Sequence, residues 1–284
     1  MKYGVIDIGS NSVRLMISNG VSTQYKILKT TRLAEGLGED KLLKIVPMER
    51  TVKAICELYE IANQERVDKI FIFATAAVRQ AKNRQEFLSK IQQSCGLVVD
   101  VVSGEKEAEL GLLGALGNKD GGVIDIGGAS TEIALLKNNK IVYLKSINLG
   151  AVSLTDLCGQ DRNKAEIIVK DKIKEFGVVD GEDFYSIGGT STTLGAVLQE
   201  LEVYLPEKVD GFVIKLSDLE LLTERVYNLT IEERMKLKGL QPERAKVIAN
   251  GCLILLEIMR YLKKDTIIVS EKDNLEGYLE YKLV

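Results

Sequence analysis

The chain has 284 residues, 45% hydrophobic and 28% charged, with a formal charge of −3. This length suits two domains of ordinary size, and the acidic balance argues against broad nucleic-acid binding, so a polyanionic ligand needs a local basic site. With no histidine anywhere, Ser-His and Cys-His catalysis, histidine metal ligands and a histidine base are all removed, leaving proton transfer to a carboxylate, Lys, Tyr or Cys.

In chain order, Gly4 to Ile8 reads as a buried strand entering a glycine turn, with Val13 to Ile17 returning and Ser22 to Lys29 completing a meander. A glycine-punctuated loop over 31–38 precedes a helix from Pro47, where Val52, Ile55, Cys56, Tyr59 and Ala62 recur at helical spacing. Lys69 to Thr75 is a short buried strand with Arg79 just beyond its carboxyl end, the edge at which open α/β sheets bind ligands. Leu97 to Val102 predicts a further strand, and Ser103 the N-cap of a helix whose first turn holds Glu105 and Glu107; pattern alone does not choose between these acids. Gly117 to Gly121 is turn-rich and marks the expected boundary between domains 1–118 and 119–284, with the C-terminal helix free to dock back on the first.

The scheme then repeats: Val123–Ile126, Ile133–Lys137 and Ile141–Asn148 form a second meander, followed by a helical region from Leu149 and a solvated helix over Ala165–Phe176. Tyr185–Ile187 leads through Gly188-Gly189-Thr190 into another helix start, a third anion or nucleoside loop. Ser217 and Glu220 are spaced as a capping box, Arg234 to Lys246 is the most basic stretch, a buried helix spans Glu243–Leu262, and a strand at Ile267–Val269 precedes a closing helix over Asn274–Leu283. Cys56, Cys95, Cys158 and Cys252 lack metal-ligand spacing and read as buried free thiols. No apolar run approaches a membrane span, and Met1-Lys2-Tyr3 leads directly into a strand, so a cytoplasmic protein with no membrane or nucleic-acid partner is expected, with a homodimer as the default assembly.

The internal copy is the strongest signal. Gly4-Val5-Ile6-Asp7-Ile8-Gly9 and Gly122-Val123-Ile124-Asp125-Ile126-Gly127 are identical, and Ser12 matches Ser130 at the same offset. Such turns let a phosphate approach main-chain amides, with Ser10, Asn11, Ser12, Gly128, Ala129, Ser130 and Thr131 adding small or neutral polar groups. An aspartate beside an anion repels it unless a divalent cation intervenes, so Asp7 and Asp125 imply Mg²⁺. Two copies suggest two related half-molecules facing each other across a cleft.

With Ala74-Thr75-Ala76-Ala77-Val78-Arg79, Ser103-Gly104-Glu105-Lys106-Glu107-Ala108, Asp125 to Glu132 and Gly188 to Thr193 in register with the first loop, the chain resembles the exopolyphosphatase and guanosine pentaphosphate phosphatase (Ppx/GppA) family over nearly its whole length. The resemblance implies an α/β fold of two ribonuclease-H-like domains, as in the actin, sugar-kinase and heat-shock ATPase superfamily, around a phosphate cleft. It implies Mg²⁺-dependent hydrolysis of the terminal phosphoanhydride of polyphosphate or guanosine pentaphosphate, with Glu107 as the water-activating base and Arg79 gripping phosphate. It also implies that Asp125 and Glu132 hold the metal, with Asp7 the matching acid of the first loop. Gly9, Gly127, Gly189 and Thr190 join the loop residues named above as substrate contacts. Where Glu132 stands in the second copy the first has Arg14, so the fold itself does not demand an acid there. Ala129 replaces a common third glycine, and Lys246 stands where an aspartate is usual after Arg244-Ala245. Without the extra helical domains of long members, the chain is expected to prefer short chains or nucleotides. A kinase, a chaperone- or filament-like ATPase and a non-catalytic phosphate sensor are the competing classes.

Overall fold

The computed structural model describes residues 1–181 and 183–283. The first half runs β1 (Tyr3–Ile8), β2 (Ser12–Ser18), β3 (Thr23–Thr30), α1 (Ile45–Gln64), β4 (Lys69–Ala74), α2 (Ala76–Gln80), α3 (Arg84–Cys95), β5 (Asp100–Val101) and α4 (Gly104–Leu116). The second runs β6 (Gly121–Ile126), β7 (Thr131–Lys137), β8 (Lys140–Ile147), α5 (Ala151–Cys158), α6 (Arg162–Lys172), β9 (Phe184–Ile187), α7 (Gly188–Leu198), α8 (Pro206–Val209), β10 (Val213–Lys215), α9 (Leu216–Asn228), α10 (Ile231–Arg234), α11 (Ile248–Tyr261), β11 (Thr266–Val269) and α12 (Asn274–Leu283).

The sheets are ordered β3-β2-β1-β4-β5 and β8-β7-β6-β9-β11, with β10 added antiparallel to β11. Each has an antiparallel meander on one side of its central strand and parallel neighbours on the other. The molecule is therefore two ribonuclease-H-like α/β domains, and the repeated sequence is the repeated central strand with its turn.

Strand alternation decides where the repeated aspartates go. In β1, Ile6 and Ile8 face the core formed with α1 and α3, whereas Tyr3 and Val5 face α12. In β6, Ile124 and Ile126 face the large core around α11, whereas Val123 faces α4. Asp7 and Asp125 share the second face in each case, so both carboxylates point into the layer between the sheets. That layer is filled by α4 and α12, which cross at glycines: a Cβ on Gly114 would lie 1.9 Å from Asp273 O, and one on Gly277 would lie 1.9 Å from Leu110 O.

Three local expectations are corrected. Ser217 and Glu220 form no capping box: α9 starts one residue before Ser217, Ser217 bonds Asp218, and Glu220 pairs with Arg260. The reciprocal box is instead at Thr230 and Glu233. The helix expected from Glu243 begins at Ile248, because Pro242–Arg244 forms a separate 3₁₀ turn. The strand expected over 97–102 pairs only at Asp100 and Val101. All four cysteines are free, with Cys158 and Cys252 buried and Cys56 and Cys95 partly so. No helix among the described residues is long and apolar enough to cross a membrane.

Candidate active site

The two glycine turns come from the two sheets and meet. A Cβ on Gly128 would lie 2.8 Å from Ser10 Cβ and 3.3 Å from Asn11 N, so the approach requires glycine there. Gly9 N and Gly127 N close their own hairpins onto Ser12 O and Ser130 O, both at 3.0 Å, and so are not free to hold a ligand. The carbonyls behind the turns are occupied as well. Asn11 O accepts from Thr31 N and Arg32 N and Ser10 O from Ala34 N, while Gly127 O and Gly128 O accept from the first amides of α5. With their carbonyls held from behind, the turns leave the amides of Ser10, Asn11, Gly128 and Ala129 without a partner among the described residues. Four free N–H groups between facing loops are the donor set an anion requires.

Beside the loops lies a carboxylate cluster. Ligand atoms of Glu107, Asp125 and Glu132 all fall within 4.8 Å of one another, and the three residues are buried. Glu107 arrives from α4, whose N-terminus is capped by Ser103 Oγ on Lys106 N; Gly104 allows that end to press against Ser146 of β8. Ser146 Oγ in turn donates to Glu132 Oε1 at 2.6 Å, and Asn274 Nδ2 at the start of α12 donates to Asp125 Oδ2 at 2.8 Å. Burial, reinforced by the other carboxylates, raises Asp125 from 3.8 to about 8 and holds Glu132 well above the usual range. Burial also raises Glu107, against the opposing pull of Arg79.

The cluster fits a divalent cation with oxygen ligands. Glu132 Oε2 and Asn274 Oδ1 are buried without hydrogen-bond partners, as are Asp7 Oδ1, both polar side-chain atoms of Asn11 and Ser130 Oγ. Each such atom costs about 1–3 kcal/mol when left unsatisfied, and their concentration at one place marks a ligand site.

Register explains why Asp7 is not among the three. Asp7 opposes Arg14 across β1 and β2, and Asp125 opposes Glu132 across β6 and β7. In the first copy the pair neutralises itself: Arg14 Nη2 lies 2.6 Å from Asp7 Oδ2 and Nη1 bonds Asp273. In the second copy two acids face each other, an arrangement that is unfavourable unless a cation joins them. Arg79 does not line the cavity; its Nη1 lies 2.7 Å from Glu107 Oε2 and 3.1 Å from Val102 O.

The cleft encloses about 1240 Å³ and is lined by Asp7, Gly9, Ser10, Asn11, Ser12, Glu107, Asp125, Gly127, Gly128, Ser130, Gly189 and Thr190. Ala129, Thr131 and Glu132 lie behind this lining, Thr131 giving its hydroxyl to Leu149 O. Thr190 likewise spends its hydroxyl on Ile126 O at 2.9 Å.

Arg244 was hidden within the basic stretch. It is 8% exposed, lines the cleft, and makes no ion pair among the described residues; its guanidinium lies over Gly189, where a Cβ would be 2.1 Å from Nη2. Burial, then the nearby Arg14, pushes it down to about 10. Arg234 of the same stretch is structural, donating to Val226 O. Neither Asn274 nor Asp273 carries a sequence signal, because their partners are more than 140 residues away.

Known proteins carry the same plan. The chain is 33% identical to a bifunctional 3-dehydroquinate synthase/phosphatase of Fusobacterium nucleatum over 96% of its own length, spanning 45% of that relative. It is 28% identical to exopolyphosphatase 2 of Mycobacterium tuberculosis, with 97% of each chain covered. A solved Ppx/GppA structure from Aquifex aeolicus matches with a TM-score of 0.81 at 29% identity, over all of this chain and 97% of that one. The family model of the Ppx/GppA phosphatases matches residues 17–283. The doubled loop, the acids behind it and this match over most of the sequence place the chain in the Ppx/GppA phosphatase family.

Proposed function

We propose that the protein hydrolyses the terminal phosphoanhydride bond of inorganic polyphosphate or guanosine pentaphosphate with Mg²⁺. The observation that carries this reading is the juxtaposition of three buried carboxylates with two facing loops whose amides are free.

Asp125 and Glu132 would hold the magnesium ion, which supplies Lewis-acid charge to neutralise developing negative charge on the phosphate oxygens. The amides of Ser10, Asn11, Gly128 and Ala129 bind the equatorial oxygens of the terminal phosphoryl group and need no reorganisation as charge develops. Glu107 orients a water molecule and takes its proton as the water oxygen bonds phosphorus and the bridging P–O bond breaks, the electron pair leaving with the shortened chain. Burial raises the Glu107 carboxylate above its ordinary value, which makes it a stronger base than a solvated carboxylate. Arg79 holds Glu107 in place and limits that rise; its contact with phosphate is indirect, through the base. Arg244, which makes no ion pair among the described residues, meets the remainder of the phosphate chain.

Phosphate release from long polyphosphate, tripolyphosphate, guanosine pentaphosphate and ATP, compared between wild type and Glu107→Gln, tests the reading. Release from at least one anhydride is expected, with a loss of at least about a hundredfold in the variant. Equal release by both proteins would remove Glu107 as base, and no release from any substrate would overturn the hydrolase.

A further inference from the structure

Arg234 is 1% exposed, lines no part of the cleft, and gives its guanidinium to neutral oxygens with no ion pair among the described residues. A guanidinium taken out of water without a carboxylate is costly, and its partners show what it secures. Its Nε donates at 2.5 Å to Val226 O, one of the last carbonyls of α9, which the helix itself cannot use. Its Nη1 donates to Gln160 Oε1 and, at 3.4 Å, to Ala245 O. Gln160 Nε2 in turn donates to Lys246 O at 3.2 Å. Arg234 and Gln160 therefore form one bridge that grips the two residues after Arg244.

The rest of that segment is held as firmly. Glu243 O accepts from Arg32 Nη2 at 3.0 Å and Arg244 O from Val247 N at 3.0 Å, so every carbonyl from Glu243 to Lys246 has a donor. Arg32 N also donates to Asn11 O behind the first loop. Gln160 follows α5, whose first amides hold the second loop at Gly127 O and Gly128 O, and Asn250 of α11 fixes the far end of α5 by donating to Gly159 O at 3.1 Å. The frame ties the backbone of Arg244 to both loops. The guanidinium has little else to aim it: among the described residues its side-chain bond is Nε to Gln241 Oε1 at 3.4 Å, and beyond that it lies against Gly189.

We propose, on the reading of Arg244 given above, that Arg234 and Gln160 are positioning residues that set where Arg244 stands over the loops, and so the span between the terminal phosphate and the next one gripped. A single orthophosphate in the loops does not use that span. Binding of a chain depends on the frame, and binding of one phosphate does not.

The test is calorimetric titration with tripolyphosphate and with orthophosphate, in magnesium buffer, of Glu107→Gln protein and of the same protein carrying Gln160→Ala, Arg244→Ala or both. Gln160 is exposed, so water replaces its bonds and the fold survives. Gln160→Ala should weaken tripolyphosphate about three- to tenfold, the worth of one hydrogen bond, and leave orthophosphate within about twofold. In the Arg244→Ala background the same change should do nothing further. Arg234→Lys, which keeps the charge but not the planar fork that reaches three acceptors, should act like Gln160→Ala where melting curves show it folded. Unchanged tripolyphosphate affinity in Gln160→Ala, equal weakening of both anions, or effects at 160 and 244 that multiply would overturn the positioning role; a merely structural role lowers the melting temperature and gives multiplied effects. Because the readout is binding, the two readings fail separately. The expected cycle with no phosphate release by wild type would leave the positioning role and sink the hydrolase. Release with multiplied effects would do the reverse, and no binding of tripolyphosphate would sink both.

Discussion

Arg14 and Glu132 occupy one position in two copies of a motif, and the difference divides the labour of the site. Arg14 lies between Asp7 and Asp273, so the acid of the first copy has a cation of the chain beside it. Glu132 faces Asp125 with Glu107 nearby, so the second copy sets acid against acid with no cation of the described residues between Asp125 and Glu132. Without a cation the folded chain keeps protons on these acids that the unfolded chain has already lost. For Asp125, raised by burial from 3.8 to about 8, the unfolded state binds fewer protons between those values, so its contribution to stability falls as pH rises through that window. Thermal denaturation in chelator should show this as a difference between proteins: Asp125→Asn should gain on wild type from pH 5 to pH 8. Magnesium should raise the wild-type melting temperature more at pH 8 than at pH 5. Arg244→Ala should raise KM for a phosphate-chain substrate about ten- to a hundredfold, the worth of a charge-assisted hydrogen bond, with a smaller effect on kcat; steady-state kinetics on tripolyphosphate would read it.

At this scale the sequence exposed the residues that repeat and concealed those that do not. Asp125 and the loops were visible because two copies share an offset, and Glu107 because its block matches a family pattern. Asp7 and Arg79 are each paired, with Arg14 and Glu107, and no spacing in the sequence reveals either pairing. Arg244 looked like one more surface cation until burial against Gly189 distinguished it from its neighbours.

Among elements, α4 and α12 carry the design. α4 packs its Ala108, Leu112 and Leu116 side on the second sheet and delivers Glu107, while α12 lays Leu275, Tyr278 and Leu279 on the first sheet and delivers Asn274. Each helix covers one sheet and touches the other at Gly114 and Gly277. Gly114→Leu would drive a side chain into the Asp273 carbonyl, on the same turn that holds Arg14 and precedes Asn274. Overpacking of this kind costs about 1–3 kcal/mol or more, so denaturant titration should show a clear loss of stability relative to the exposed control Ile167→Ala. Strand alternation made the meanders readable in advance; the crossing was not, because a helix records which face is apolar but not which of two sheets it meets. The 3₁₀ turn at Pro242–Arg244, separated from α11 only by residues 245–247, was absorbed into the following helix.

The whole molecule joins its halves by more than the linker between α4 and β6. Ala151, Val152 and Val247, from the second half, complete the core of the first, and Arg32 donates to Glu243 O beside Arg244. The crossed packing also has a consequence for how the chain is made. The strands of the first sheet are complete by Val101, yet Tyr3, Val5 and Phe73 have only Val102 and Leu110 of the first half packed with them until α12 arrives, with Tyr278 stacking on Phe73 at a centroid distance of 4.3 Å. At ordinary rates of synthesis that interval is roughly 10–30 seconds. For that time the growing chain carries an apolar sheet face still missing Leu275, Tyr278 and Leu279, which makes the nascent first half a natural client for a ribosome-associated chaperone. A chain stopped before Asn274 should partition into the insoluble fraction, and restoring α12 as a separate peptide during synthesis should return part of it to solution.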